Sequence, residues 1–236
     1  MYQNLVLHIP HGSTWIPGAA NAYTQKGYQQ LVQNGRYLVD YHTTPLFHSF
    51  NINPQIHLFQ AIHHRLLVDM ERLPNDPLEE KGYGIVSKWA IEWLGEASRA
   101  RWMSYYNGHH EHGASLLNAL KDPLLIDCHS FSAHPTPLCQ CPPDIDVCIG
   151  FNEDETKPPQ EIIDLVASYF MDSGYSVGIN QPFSNSKTFP GATDYHSLMI
   201  EINKRCYMDE ETLHTTAGFI KLHKELQQLY HLLLKA

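Results

Sequence analysis

"PLLIDCHS", residues 123–130, is an apolar run of strand length that ends in a carboxylate, a thiol, an imidazole and a hydroxyl. Leu124, Leu125 and Ile126 form the body of the strand, and Asp127, Cys128, His129 and Ser130 are expected to leave it. Five further runs are also of strand length: "LVLHI" (5–9), "QIHLFQAI" (55–62), "DVCIGF" (146–151), "YSVGI" (175–179) and "SLMIEI" (197–202). Helical patterns lie between them. "PPQEIIDLVASYFMDSG" (158–174) places Ile162, Ile163, Val166, Tyr169 and Phe170 on one face, with Gly174 as a stop. The tail from about Thr215 carries Phe219, Leu222, Leu226, Leu229 and Leu233 and reads as a docked C-terminal helix. A further helix is expected in "SKWAIEWLGEASRARWMSYYNG" (87–108), packing through Trp89, Trp93, Leu94 and Trp102. Strands alternating with helices specify an α/β fold with a mixed, largely parallel sheet flanked by helices. In such sheets sites form where strand C-termini meet loops, so the polar strand ends are where chemistry is expected.

The 236 residues fit one domain spanning 1–236, with no internal repeat and no composition break that marks a boundary. A Pro-rich stretch, "HPTPLCQCPPD" (134–144), reads as an irregular loop. The formal net charge of −9 argues against nucleic acid as a partner, because phosphate binding needs a basic surface. No stretch approaches the roughly 18 apolar residues that span a bilayer, and the first residues do not form a signal peptide. Five cysteines (128, 139, 141, 148 and 206) without a secretion signal imply reduced thiols in the cytoplasm. Sixteen histidines make up the compositional outlier, and histidine is the commonest protein metal ligand.

Four places collect chemistry. His11 follows the first strand on a turn framed by Pro10 and Gly12, whereas His8 lies inside that strand and is read as carrying no role. Asp127 and His129 point to the same side if the chain stays extended, so the carboxylate can fix the tautomer of a metal-binding imidazole. A Cys128–His129 nucleophile pair is disfavoured, because neighbours in an extended chain point apart. Glu201 sits in an apolar strand on the face opposite Ile200 and Ile202, where a carboxylate needs a partner or a purpose. Water at an edge strand, or an ion pair with Lys204 or Arg205, would satisfy it equally well. In "HHRLLVDMER" (63–72), Arg65 and Arg72 flank Asp69 and suit either a clamp on a substrate carboxylate or surface salt bridges. "NGHHEH" (107–112) has the densest histidines, and His109 and His112 could share a helical face. It lacks the HExxH spacing, however, and Gly108 and Gly113 weaken a long helix. "LVDYHTTPLF" adds Asp40 and His42.

In order along the chain, these segments resemble the N-formylglutamate amidohydrolase family. The carriers are Pro10-His11-Gly12-Ser13, Asp40 in "LVDYH", "RLLVDMER" from Arg65 to Arg72, Asp127-Cys128-His129-Ser130, and Glu201 followed by Tyr207-Met208-Asp209. The resemblance implies a zinc carboxypeptidase-like fold and hydrolysis of an N-formyl or N-acyl amino acid, with N-formyl-L-glutamate the expected substrate. It also implies one zinc on His11, Asp40 and His129, with His42 the competing middle ligand. Glu201 would act as general base, Arg65 as oxyanion or carboxylate partner, and Arg72 as substrate-binding. The segment "NQPFSNSKTFPG" (180–191) matches at Asn180, Pro182 and Phe183 and implies a substrate contact from Asn180. Two departures stand out. Glu71 replaces the family's asparagine, and Ser186-Lys187 replace its glycine pair, so that Lys187 offers a new cation to the substrate.

Overall fold

The computed structural model describes residues 2–18, 25–48, 53–136, 138–140 and 143–235. Each of the six apolar runs forms a strand: β1 (Asn4–Ile9), β2 (Ile56–Gln60), β3 (Pro123–Phe131), β4 (Val147–Gly150), β5 (Val177–Ile179) and β6 (His196–Asn203). They join one sheet in the order β2-β1-β3-β6-β4-β5. β1 runs parallel to β2 and β3, β3 to β6, and β4 to β5, whereas β4 meets β6 antiparallel. The helices are α1 (Lys26–Leu38), α2 (Thr43–Phe47), α3 (Lys88–Leu94), α4 (Arg99–Ala119), α5 (Gln160–Asp172) and α6 (Ala217–Leu233). This is the mixed, mostly parallel α/β architecture that the alternating pattern specifies.

Alternation along the strands separates two faces. Leu5, Leu7 and Ile9 of β1, Ile126 and Cys128 of β3, and Leu198, Ile200 and Ile202 of β6 pack with the apolar stripes of α5 and α6 in the largest core. On the opposite face Val6 and Leu125 meet Ala114 and Leu117 of α4. His8, Asp127, His129 and Glu201 share the parity of that second face and continue it toward the strand C-termini. A separate cluster unites α1, α3 and the start of α4 around Leu31, Trp89 and Trp102.

Several expectations change. Asp127 to Ser130 do not leave the strand, because β6 pairs with β3 as far as Phe131↔Asn203. The helix expected over 87–108 is split at Gly95, whose φ of 81° ends α3 before α4 begins. α4 runs unbroken through Gly108 and Gly113. Each glycine costs about 1 kcal/mol of helix propensity. Burying Trp102, Tyr106 and Leu117 along the same helix outweighs that at roughly 1.5–3 kcal/mol per large side chain. α1 is absent from the sequence reading: it has no side-chain N-cap and contains Gly27. A Cβ at Gly27 would lie 2.8 Å from both Trp89 O and Trp93 N, so close packing against α3 demands the glycine. Cys141, with Pro137 and Pro142 of the Pro-rich loop, lies outside the described residues. Among the described residues no helix is long and apolar enough to cross a membrane.

His64, buried before β2's connection reaches Arg65, accepts a hydrogen bond from Leu66 N–H on Nδ1 at 3.0 Å. Burial, and then the Arg65 charge, pushes its pKa down to about 3. The unfolded chain protonates this ring near 6.5 and the folded one does not, so stability falls as pH drops through the window from 6.5 to about 3. His64→Asn keeps an acceptor for Leu66 N–H and is expected to flatten that acid slope, measured by urea unfolding across the same pH range.

Candidate active site

The parallel strands β1, β3 and β6 end at one edge of the sheet, and their register sets His8 beside Asp127 and His129 beside Glu201. His11 lies just past the end of β1. Asp40 follows α1, and its N–H donates to His11 O at 3.0 Å. Its Oδ2 in turn accepts from Ser130 N–H at 3.2 Å. A cavity of about 510 Å³ opens here, lined by His11, Asp40, Arg65, Arg72, His129 and Glu201. The sequence-derived residues thus converge from segments as far apart as the first and last strands.

Hydrogen bonding decides which ring nitrogens face the centre. His11 Nε2 lies 2.9 Å from Asp69 Oδ1, and this carboxylate is held well below its usual range: burial opposes ionisation, but Arg65, His11 and Arg72 outweigh it. Asp69 therefore accepts, which puts the proton on His11 Nε2 and turns the Nδ1 lone pair inward. His129 repeats the arrangement, with Nε2 at 3.2 Å from Asp127 Oδ1 and 3.1 Å from Glu71 Oε2. The inward nitrogens approach Asp40 Oδ2, His129 Nδ1 at 3.3 Å and His11 Nδ1 at 3.9 Å. Ligand atoms of His11, Asp40 and His129 all lie within 4.8 Å of one another, and all three residues are buried. Two imidazole nitrogens and a carboxylate oxygen gathered this closely are the kind of donor set that suits a divalent cation, and carboxylates stand behind both imidazoles. Burial opposes protonation of His129, but Glu71, Asp127 and Asp40 hold its pKa well above the ordinary histidine value.

Glu201 is central rather than at an edge, because β6 lies between β3 and β4. Neither expected ion pair forms: Lys204 Nζ donates to Val39 O at 2.8 Å, and Arg205 engages Asp144 and Asp146. Among the described residues the Glu201 carboxylate makes no hydrogen bond. Burial pushes its pKa up to about 8, with Asp40, Glu71 and Asp127 adding to the rise and His129 opposing it. Arg65 and Arg72 are not surface salt bridges either. Arg65 donates to Leu38 O and to Asp69 Oδ2, each at 2.9 Å. Arg72 reaches Asp76 at 3.2 Å and Asp69 at 3.5 Å, and its buried Nε has no partner among the described residues.

Other expected residues are placed elsewhere. His42 turns away to Leu213 O at 2.8 Å, leaving Asp40 as the residue in the cluster. Asn180 Oδ1 accepts from Phe151 N–H at 2.9 Å, bracing the end of β4 rather than lining the cavity. Lys187 is buried, with Nζ committed to Met70 O at 3.0 Å, so its ammonium does not reach the cavity. Cys128 faces the opposite side of the sheet from His129, and burial raises its pKa well above the usual thiol value, which removes the nucleophile pair. Three contributors escaped the sequence reading. Asp69 was noted only between two arginines, His8 as an ordinary strand residue, and His109 as part of a separate histidine cluster. Each acts through a partner distant in sequence.

Asp69→Ala would leave buried Arg65 without its counter-ion and His11 without its acceptor. The expected loss is about 3–5 kcal/mol of unfolding free energy, read by urea denaturation.

Comparison with known proteins concerns the fold and the family. A crystal structure of N-formylglutamate amidohydrolase from Ralstonia eutropha JMP134 superposes with a TM-score of 0.69 at 22% identity, covering 99% of this chain and 93% of the other. A gene product of Agrobacterium tumefaciens superposes with a TM-score of 0.56 at 16% identity, covering 98% and 92%. No curated protein matches the chain. The family model of N-formylglutamate amidohydrolase matches residues 3–208, from β1 to just beyond β6. The chain belongs to the N-formylglutamate amidohydrolase family.

Proposed function

We propose that this chain is a zinc-dependent amidohydrolase that cleaves N-formyl-L-glutamate to formate and L-glutamate, with residues 1–236 acting as one hydrolase domain. Family membership supports the amide-hydrolysing chemistry. The single observation that carries the metal is the convergence of the His11 and His129 Nδ1 atoms on Asp40 Oδ2. His11, Asp40 and His129 would hold the ion. Bound there, zinc supplies Lewis-acid activation of water and of the acyl carbonyl.

The remaining work belongs to the chain's own side chains. Glu201 lines the cavity beside His129, and its carboxylate makes no hydrogen bond among the described residues. Its ionised form, the one a general base needs, would be favoured by a divalent charge held on the neighbouring cluster. Glu201 takes a proton from the attacking water and returns it to the departing nitrogen, so that the carbon–nitrogen bond breaks with an amine as leaving group. Arg65 and Arg72 present guanidinium edges to the same cavity, anchored from behind by Asp69. Their part is to bind substrate carboxylate, and Arg65 also offsets the charge that develops on the carbonyl oxygen. A second reading, another N-acyl amino acid as substrate, is favoured by Glu71, which adds a carboxylate to the cavity wall while Lys187 stays withdrawn.

Metal analysis of the purified protein is expected to find close to one zinc per chain, and none in the His11→Ala/His129→Ala double variant. Full occupancy in that variant would remove the proposed site. Glu201→Gln is expected to retain zinc and lose roughly 10²–10⁴-fold in kcat with little change in KM, in steady-state assays of amine release. Among N-formyl and N-acetyl amino acids, N-formyl-L-glutamate is expected to give the highest kcat/KM. A zinc-loaded enzyme that cleaves none of the panel would refute the amidohydrolase assignment.

A further inference from the structure

Two features that the site does not absorb meet behind it. His8, fully buried in β1, and His109, on α4, face each other with Nε2 atoms 3.0 Å apart. His8 Nδ1 lies 2.8 Å from Asp127 Oδ1, the same oxygen that lies 3.2 Å from His129 Nε2. Asp127 Oδ2 is taken by Lys187 N–H at 2.9 Å. A continuous line of polar contacts thus runs His109–His8–Asp127–His129, from the helix layer across the sheet face to the cavity.

Donor and acceptor roles along this line are nearly forced. Asp127 Oδ2 accepts from Lys187 N–H and its Oδ1 is met by two ring nitrogens, so the carboxylate serves as the acceptor in every one of these contacts. His8 therefore carries its proton on Nδ1 and His129 carries one on Nε2. With Nδ1–H directed at Asp127, His8 Nε2 is left to accept from His109 Nε2–H. His109 stays neutral, since burial and then its cationic and imidazole neighbours push its pKa down to about 2. Its ring is also fixed by stacking on Phe59, with centroids 4.3 Å apart.

We propose that His8 and His109 are positioning residues of the metal centre: acting through Asp127, they fix which nitrogen of His129 bears the proton and so which one faces the metal. If Asp127 lost His8, its Oδ1 would keep only His129, and the carboxylate could pivot about the Lys187 N–H bond to Oδ2, shifting the His129 Nε2–H bond toward Glu71. Ring orientation and ligand basicity both depend on such an acceptor, and its loss typically weakens metal binding about 10–100-fold. The dense histidines of α4 thereby act without ligating anything. This inference rests on the reading of His11, Asp40 and His129 as metal ligands.

The test uses zinc affinity of the full chain, measured by competition with a chromogenic chelator, together with ¹H–¹⁵N spectra of the imidazole groups. His8→Leu is expected to weaken zinc binding roughly 10–100-fold. His8→Asn, whose side-chain N–H can replace Nδ1–H, is expected to recover most of that loss. His109→Leu leaves the strand untouched and is expected to give a smaller fall in the same direction; it decides the matter if His8→Leu does not fold. Spectra of the wild-type protein are expected to show a slowly exchanging proton on His129 Nε2 that exchanges faster in His8→Leu. Unchanged zinc affinity in the variants, or a His129 that binds zinc through Nε2, would overturn the positioning role and leave the metal site standing. Absence of zinc binding by the wild-type chain would overturn both.

Discussion

Register between β1, β3 and β6 governs everything at this site. Ile126 and Cys128 pack into the core on one face, as do Leu198 and Ile200, so Asp127, His129 and Glu201 must take the other. A slip of one residue would exchange the two sets, carrying ionisable groups into the layer covered by α5 and α6 and leaving aliphatic side chains in the cavity. The large apolar core therefore aims the polar groups without touching them. Parallel pairing adds the second condition, since it brings the C-terminal ends of the three strands to one edge, where His11 and Asp40 join them.

Charge compensation then sorts the polar groups. Burying an unpaired carboxylate costs several kcal/mol, and here nearly every one is matched. Asp69 takes Arg65, Arg72 and His11, whereas Asp127 takes His8, His129 and the Lys187 N–H. The Asp69–His11 and Asp127–His129 pairings orient as well as neutralise, because each fixes one nitrogen of an imidazole and leaves the other directed at Asp40. Glu201 is the exception, without a hydrogen-bond partner among the described residues and with a raised pKa. Such an uncompensated group in a cavity is where proton transfer is expected.

Much of this was legible along the chain. Local apolar runs foretold all six strands, because burial on a strand requires nothing beyond a few consecutive side chains. α1 was not foretold: Gly27 lowers its helix propensity, and the reason for that glycine is the backbone of α3 some sixty residues away. The unbroken course of α4 was missed for the converse reason, since long-range burial outweighs two glycines. Among the ligating candidates, His11 and His129 carried local signals in their turn and their Asp-x-His spacing. The choice between Asp40 and His42 did not, because two residues so close in sequence differ only in which one the fold turns inward. Asn180 and Lys187 showed the opposite failure: side chains suited to binding substrate were consumed by Phe151 N–H and Met70 O.

Composition, apolar periodicity and ordered short motifs were sufficient for the α/β class, for the family and for the charged and imidazole side chains that line the cavity, because those properties reside in local side-chain patterns. Which nitrogen of each histidine faces inward, that Asp69 stands behind His11, and that His8 and His109 stand behind His129 came from tertiary structure alone. The physical reason is that a proton's position on an imidazole is set by its hydrogen-bond partner, and every such partner here comes from a different element of the fold.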